Sequence, residues 1–293
     1  MSIRHEMTRA AGRARDVLPD PDRTADYVRS QLTDAGGFAD KAGKADLYYT
    51  VFGLQAAAAL DAELPFDRVR KYLDSFADGE GLDLVHLSCL ARAWADLPDA
   101  DIPPTSADAL RRRIAAHRSP DGGFALIPGS AGSVYGCFIA VGGLQDLNTQ
   151  PDALDRLETF LASLRTPGGG TVNETALPFP ATPSTAAALT LQASLGFHAP
   201  QDSKDWLARQ QDACGGFHAV EGAPICDLLS TATAIHALTL TGQPLAQNAE
   251  RTLDFVLRLR GDHGGFGAST LDATADVEYT AYALVALGHL TGG

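Results

Sequence analysis

Gln31-Leu-Thr-Asp-Ala-Gly-Gly-Phe38 and Gln211-Asp-Ala-Cys-Gly-Gly-Phe217 share one glycine turn, and a related turn occurs six times along the chain. The turns begin at Gly36, Gly79, Gly122, Gly169, Gly215 and Gly264, so that successive starts differ by 43, 43, 47, 46 and 49 residues. A period of this length holds two helices and two connections. One such unit cannot bury its apolar side alone, so the six units must pack against one another.

Each turn is preceded by an amphipathic stretch and followed by a run that is apolar nearly all round. Phe66, Val69, Leu73 and Phe76 show the helical spacing of the first kind. Runs without a polar face are typical of buried helices, and they cover 47–60, 84–97, 134–147, 184–195, 228–241 and 277–290. We therefore predict an all-α fold, a single (α/α)6 barrel of six helical hairpins over residues 22–293, with residues 1–21 as an N-terminal extension.

Composition narrows the function classes. The 293 residues are 45% hydrophobic and 20% charged, which is typical of a globular protein. A formal net charge of -13 disfavours nucleic acid as a partner. No apolar run is long enough to predict a membrane span, and the first 20 residues lack the apolar stretch of a secretion signal. The four cysteines have no C-x-x-C spacing, so we expect a reducing, cytoplasmic location.

The turns resemble the prenyltransferase and squalene-oxidocyclase repeat over essentially residues 22–290. The segment Gly36-Gly-Phe-Ala-Asp-Lys-Ala-Gly-Lys-Ala-Asp-Leu-Tyr-Tyr-Thr50 resembles the pattern G-G-x-x-D-K-P-G-K-x-x-D-x-Y-H-T of protein prenyltransferase β-subunit-like proteins. The resemblance implies an isoprenoid diphosphate or lipid in the barrel cavity and zinc-dependent prenyl transfer. It also implies a helical partner subunit, for which a homo-oligomer is the alternative.

In that family the histidine of the pattern binds zinc, together with a D-x-C at the start of the preceding inner helix. Here Tyr49 stands at the histidine position, and no D-x-C begins an inner helix. Aligning the inner helices on their turns instead places Asp46, Asp83, Asp227 and Asp276 in one register at helix starts. In a closed barrel these carboxylates would surround one mouth, although Asp at this position also caps free backbone amides, which contributes about 1 kcal/mol.

Asp46, His86 and Cys89 are the candidate metal ligands. Asp46-Leu-Tyr48 occupies the D-x-C register, and His86 occupies the histidine register of the next helix, with Cys89 one turn deeper on the same face. Carboxylate, imidazole and thiolate are ligands that zinc accepts at a four-coordinate site. The alternative is a core histidine bonded to Asp46 or a backbone carbonyl beside a buried thiol.

Asp276, Glu278 and Tyr49 are the candidate catalytic residues, because closing the ring makes the last hairpin a neighbour of the first. Glu278 takes the register of the cysteine of D-x-C. Two carboxylates two residues apart could bind magnesium, and solvated residues of the mouth are the alternative.

Candidate substrate contacts follow from the same match. Lys41 and Lys44 of the D-K-x-G-K segment, with Tyr48, are expected to bind the diphosphate, and Asp83 and Asp227 to contribute further contacts at the mouth.

Three other functions stay open. The barrel could be a non-catalytic relic of the family that binds an isoprenoid or a partner protein. Proton-initiated terpene cyclisation is a second alternative, although the D-x-D-D acid motif of such enzymes is absent. A carbohydrate-active α/α barrel, which would use two carboxyl groups at the mouth, is the third.

Overall fold

Twelve helices alternate between an inner and an outer position along the chain. The computed structural model describes residues 2–98, 101–243 and 248–291, and these residues contain thirteen α-helices. The inner helices are α3 (Leu47–Ala59), α5 (Leu84–Asp96), α7 (Val134–Asp146), α9 (Thr182–Leu195), α11 (Leu228–Leu240) and α13 (Val277–Leu290). The outer helices are α2 (Pro21–Ser30), α4 (Phe66–Asp74), α6 (Pro104–Ala115), α8 (Leu154–Ser163), α10 (Gln201–Arg209) and α12 (Ala249–Arg258).

The inner helices form a closed ring. Each packs on the next in chain order, and α13 packs back on α3. The outer layer closes in the same way, since the last glycine turn lies on the first outer helix. Gly264 has a φ of +97°, and a Cβ there would lie 2.6 Å from the carbonyl oxygen of Arg23 in α2. Only glycine fits this approach. The predicted all-α toroid is confirmed.

Buried phenylalanines join each turn to the inner helix that follows it. Phe38 and Phe217 are fully buried, as are their counterparts in two further turns. The backbone N–H of Phe38 donates to Thr50 Oγ1 at 2.9 Å, and that of Phe217 donates to Thr231 Oγ1 at 2.9 Å. Each bond contributes about 1 kcal/mol beyond the burial of the ring. The sequence therefore fixes where an inner helix starts relative to its turn.

Two short hairpins lead into inner helices. Strands β1 (Phe38–Ala39) and β2 (Ala45–Asp46) pair antiparallel, as do β3 (Phe217–His218) and β4 (Cys226–Asp227). Phe38 lies opposite Asp46, and Phe217 lies opposite Asp227. The pairing holds each aspartate at the point where its helix begins.

The predicted N-terminal extension forms a helix that closes the other end of the barrel. Helix α1 (Ile3–Gly12) packs on α13 and α3 and reaches α7 and α9. A Cβ at Gly288 of α13 would lie 1.7 Å from the carbonyl oxygen of Ala10, so glycine permits this contact. Arg4 pairs with Asp96 and Asp146 at the C-terminal ends of α5 and α7. Of the helices in the described residues, none is long and apolar enough to cross a membrane.

Candidate functional site

The four aspartates predicted at the mouth are helix N-caps. In each case a side-chain oxygen accepts a hydrogen bond from the backbone N–H three residues further on. Each of these aspartates therefore caps its helix, as the alternative interpretation predicted. All four carboxylates lie at the same mouth of the barrel. The bonds are Tyr49 N to Asp46 at 3.1 Å, His86 N to Asp83 at 2.9 Å, Ser230 N to Asp227 at 2.8 Å and Tyr279 N to Asp276 at 2.8 Å.

The lumen is the space enclosed by the six inner helices. In each of these helices, the residues that line it lie at the same positions along the sequence, counted from the N-cap. The side chains two, six and nine residues after the cap share one helix face, since this spacing is i, i+4, i+7. The upper layer contains Tyr48, Val85, Tyr135, Pro183, Leu229 and Glu278. The middle layer contains Phe52, Cys89, Ile139, Ala187, Thr233 and Tyr282. The lower layer includes Arg92, Gly142, Thr190, His236 and Val285.

The lumen has an aromatic side and a side of small residues. Two cavities of about 130 and 300 Å³ share Tyr48, Tyr135 and Tyr282 in their walls. The Phe52 ring lies 5.0 Å from the Tyr48 ring and 5.4 Å from the Tyr282 ring, measured between centroids. Small side chains of α9 and α11 leave the larger space opposite. Small-molecule sites typically measure about 300–1,000 Å³ and are mostly apolar, so the lumen suits an apolar chain.

Glu278 is a carboxyl group held in the upper layer of this lumen. The Tyr48 hydroxyl donates a hydrogen bond to Glu278 Oε1 at 2.7 Å. Burial raises the pKa of Glu278, and the neighbouring Asp276 raises it further, whereas the Tyr48 bond and Lys41 act in the opposite direction. Burial also raises the pKa of Tyr48, which keeps the phenol protonated as the donor. The carboxyl group of Glu278 therefore lines the lumen with a pKa above its usual value.

Asp276 and Lys41 form a charged pair beside Glu278. Asp276 is 5% exposed, and burial raises the pKa of its carboxyl. Lys41 Nζ lies 3.7 Å from Asp276 Oδ2 and 3.8 Å from Asp272 Oδ2, above the ring of Tyr279. Lys41 was expected to bind a diphosphate, but the structure engages it with two carboxylates. Lys44 is exposed on the same hairpin.

Tyr49 lies at the edge of the mouth, not in the lumen wall. It follows its cap by three residues, and its ring meets that of Tyr48 edge-on at 5.7 Å. Burial, and then Asp276, raise the pKa of Tyr49 to about 12. Of the three predicted catalytic residues, the structure brings Asp276, Glu278 and Tyr49 to one side of the mouth and points only Glu278 inward.

The predicted metal ligands are not gathered at one point. Asp46 caps α3, His86 Nδ1 lies 2.8 Å from Asp83 Oδ1, and Cys89 lies in the middle layer of the lumen. Burial raises the pKa of the Cys89 thiol to about 12. Among the described residues, the group of three ligand atoms found within 4.8 Å of one another lies elsewhere, on the fifth turn. Zinc at Asp46, His86 and Cys89 stays a prediction.

Asp83 and Asp227, predicted as substrate contacts, use their oxygens locally. Asp83 accepts both the backbone N–H and the ring of His86. Asp227 accepts the backbone N–H and the hydroxyl of Ser230, each at 2.8 Å. Neither is among the described side chains that line the two cavities of the lumen.

Sequence reasoning missed most of the lumen wall. Phe52 and Tyr282 each follow a predicted residue by four positions, and this helical spacing from Tyr48 and Glu278 could have revealed them. The residues at the base of the lumen were harder to predict from the sequence, because their contacts join separate segments of the chain. Arg92 Nη2 donates to Gln55 Oε1 at 3.1 Å and lies 3.8 Å from the sulfur of Met7, which α1 brings from the N-terminal segment.

Comparison with solved structures shows the same fold throughout the chain. The type II terpene cyclase MstE from Scytonema has a TM-score of 0.65 at 13% identity, with 94% of this chain and 97% of that chain covered. A protein from Actinoplanes has a TM-score of 0.63 at 14% identity, with 92% and 98% covered. A glycosidase variant solved with glucose has a TM-score of 0.60 at 12% identity, with 98% of both chains covered.

Sequence comparison identifies the family. No curated protein matches the chain significantly. The model of the prenyltransferase alpha-alpha toroid domain matches residues 11–89, 84–176 and 184–291. These segments cover nearly the whole barrel, including all six glycine turns. The chain belongs to the prenyltransferase alpha-alpha toroid domain family.

Proposed function

We propose that the protein binds an uncharged isoprenoid chain in its lumen and cyclises it by proton transfer from Glu278. One observation carries the proposal: a carboxyl group bonded by Tyr48 lies at the top of an aromatic cavity that α1 closes at the base. An acid with a raised pKa stays protonated at a higher pH, so it can act as a proton donor. The apolar walls hold the chain and exclude water.

The proposed reaction is an isomerisation, in which the substrate gains one proton and loses another. The proton of Glu278 bonds to one carbon of an alkene, whose other carbon becomes a cation. The electron pair of the next alkene closes a ring and moves the cation along the chain. Loss of a proton from the last cation gives a product isomeric with the substrate. Phe52 and Tyr282 line the cavity in which this path would lie, and aromatic rings stabilise nearby cations by about 0.5–2 kcal/mol each.

The charge of the mouth favours an uncharged substrate. Asp46, Asp83, Asp227 and Asp276 begin four of the inner helices, and Lys41 is paired with Asp276. A diphosphate at this mouth would meet like charges, which disfavour its binding. Prenyl transfer from a diphosphate, which the family resemblance implies, is therefore the less supported candidate.

Exposed apolar side chains surround the same mouth. Ile127, Phe179 and Leu271 lie on the loops between a glycine turn and the following inner helix, and they are 69%, 74% and 79% exposed. Large apolar side chains at an opening are typical of a site that takes up an apolar ligand. The proposal assigns these residues to substrate entry.

Geranylgeraniol is the uncharged probe, and the second probe is geranylgeranyl dihydroxybenzoate, an anion with which a variant of MstE was solved as substrate. We would incubate the protein with this compound, and separately with geranylgeraniol, in D₂O and analyse the extracts by chromatography and mass spectrometry. Cyclisation should give a product one mass unit heavier than the substrate, since one deuteron from Glu278 becomes bound to carbon. Glu278→Gln should abolish the product, whereas Glu250→Gln on the exposed face of α12 should leave it unchanged.

Other results of these incubations would refute the role of Glu278 or favour one of the alternative functions. An isomeric product without deuterium, or full activity of the Glu278→Gln protein, would refute the assignment of the acid. Release of pyrophosphate from geranylgeranyl diphosphate with transfer to an added thiol would favour prenyl transfer. Saturable binding of the probe without turnover would favour the non-catalytic relic, and hydrolysis of an oligosaccharide would favour the carbohydrate enzyme.

A further inference from the structure

Three potential metal ligands lie together at the fifth glycine turn, outside the lumen, and a histidine lies beside them. The ligand atoms of Asp212, Cys214 and Cys226 all lie within 4.8 Å of one another. His218 lies beside them, with Nδ1 3.7 Å from Cys226 Sγ and Nε2 3.4 Å from Asp212 Oδ2. The segment from the turn to strand β4 supplies all four, so one hairpin builds the cluster.

The two sulfur atoms have the separation of ligands on one tetrahedral metal. Cys214 Sγ and Cys226 Sγ are 3.7 Å apart. Two thiolates, each about 2.3 Å from a tetrahedral zinc ion, lie about 3.8 Å apart. A disulfide would need about 2.05 Å, and both cysteines are free thiols in this structure. The spacing therefore fits a shared ion better than a covalent bond.

We propose that Asp212, Cys214 and Cys226 bind a zinc ion, with the neighbouring His218 as the candidate fourth ligand. Two thiolates, a carboxylate and an imidazole are ligands that zinc takes at four-coordinate sites. Thiolates disfavour magnesium and calcium, which prefer oxygen ligands.

Local packing places the ligands before any ion binds. Asp212 Oδ1 accepts the backbone N–H of Cys214 at 2.8 Å, and Cys226 pairs with His218 across the β3–β4 hairpin. Cys226 is 7% exposed, and a Cβ at Gly216 would lie 2.6 Å from the Cys226 Cβ. Cys214 is exposed, so solvent reaches the cluster from one side.

The ion would stabilise one part of the mouth. Cys226 directly precedes Asp227, which caps α11, whereas Asp212 and Cys214 belong to the turn before β3. An ion shared by these residues would cross-link the turn to the start of the inner helix. The site lies outside the lumen wall, so its existence is independent of the proposed cyclisation.

Cobalt titration tests the site. The full-length protein, reduced and freed of metal by a chelator, would be titrated with Co²⁺ and followed by absorption. One Co²⁺ per chain should bind with a thiolate charge-transfer band in the near ultraviolet and visible bands typical of tetrahedral cobalt, and Zn²⁺ should abolish both. Cys214→Ser and Cys226→Ser should lose the charge-transfer band while circular dichroism shows an intact fold. Cys89→Ser, which changes the thiol in the lumen, should keep it.

Loss of the band in Cys89→Ser, together with its retention in Cys214→Ser, would overturn the proposal and place the metal at the other candidate site. Absence of the band in the reduced wild-type protein would overturn it as well. Alkylation gives a readout that needs no variant: Zn²⁺ should slow the reaction of Cys214 with iodoacetamide at least tenfold, as mapped by mass spectrometry. An unchanged rate, or a Cys214–Cys226 disulfide that persists under the reducing conditions of the titration, would contradict a zinc site.

Discussion

Replacing Arg4 with leucine should destabilise the closed end of the barrel. Arg4 Nη1 lies 2.9 Å from Asp96 Oδ1, and Arg4 Nε lies 2.9 Å from Asp146 Oδ1. The three side chains are 16%, 5% and 2% exposed, so the ion pairs are buried. Both aspartates lie at helix C-termini, where the helix dipole disfavours a negative charge. Without Arg4, the two buried carboxylates keep Arg92 as a nearby cation, and Asp146 also lies near His5.

The expected loss is about 3 kcal/mol in the free energy of unfolding. Breaking a buried ion pair costs about 3–5 kcal/mol, and the lower end applies because Arg92 also acts on both carboxylates. A chain of this length has an unfolding entropy of roughly 0.6 kcal/mol/K, so Tm should fall by roughly 5 °C at pH 7. Burial already raises the pKa of Asp96 to about 6, and loss of Arg4 should raise it further. A pKa above the unfolded value means that ionisation destabilises the fold, so the deficit should be small near pH 4 and grow toward pH 7.

Thermal unfolding followed by circular dichroism at pH values from 4 to 7 would measure this deficit. Arg9→Leu, at an exposed position of the same helix, is the matched control and should change Tm little. Adding Asp96→Asn and Asp146→Asn to Arg4→Leu should restore part of the loss, because the buried negative charges are then removed. An unchanged Tm at pH 7, or a deficit that does not depend on pH, would refute the reasoning.

Substitutions of Tyr48, Phe266 and His236 should each have a separate measurable effect. Tyr48→Phe removes a hydrogen bond that lowers the pKa of Glu278, so the decline of kcat with rising pH should move to higher pH in the rate profile. Phe266→Ala empties a fully buried position and should cost about 3–5 kcal/mol in urea unfolding. Burial lowers the pKa values of His236 and His289 below 6.5, so both stay neutral in the fold and stability should fall as pH drops below about 6.5. His236→Asn should reduce that slope, which is at most about 1.4 kcal/mol per pH unit for each histidine, in the same unfolding measurement.

The barrel could be predicted because its signals are local. The glycine turns and the apolar runs locate the inner helices to within one or two residues, and 84–97 becomes Leu84–Asp96 in the structure. The largest difference is at α9, which begins at Thr182 instead of residue 184, because Pro183 fits the first turn of a helix. The closing role of α1 could not be predicted in this way. It depends on Arg4 meeting carboxylates 92 and 142 residues away, and no periodic pattern links them.

The candidate site was partly predictable for the same reason. Glu278 and Tyr48 were identified by register, but their hydrogen bond joins residues 230 positions apart and exists only because α13 packs on α3. The surroundings of Lys41 depend on the same closure of the ring. The D-K-x-G-K segment alone predicts that Lys41 binds a diphosphate, whereas in the ring Lys41 faces Asp272 and Asp276.

The N-cap residue and the residue two positions after it have different roles in each inner helix, and this difference allows one barrel to support different chemistries. The residue at the cap bonds a backbone amide in five of the six inner helices, as aspartate in four and as Ser133 in α7, so capping alone accounts for the recurring aspartate. The residue two positions later points into the lumen in every inner helix, and its side chain is free to vary. In the D-x-C pattern that the resemblance implies, this second position carries a thiolate ligand for zinc. In α13 the corresponding residue is Glu278, which cannot supply a thiolate but can carry a proton. A change at this lumen position, with the cap retained, would alter the chemical group that the barrel presents there while leaving the start of the helix unchanged.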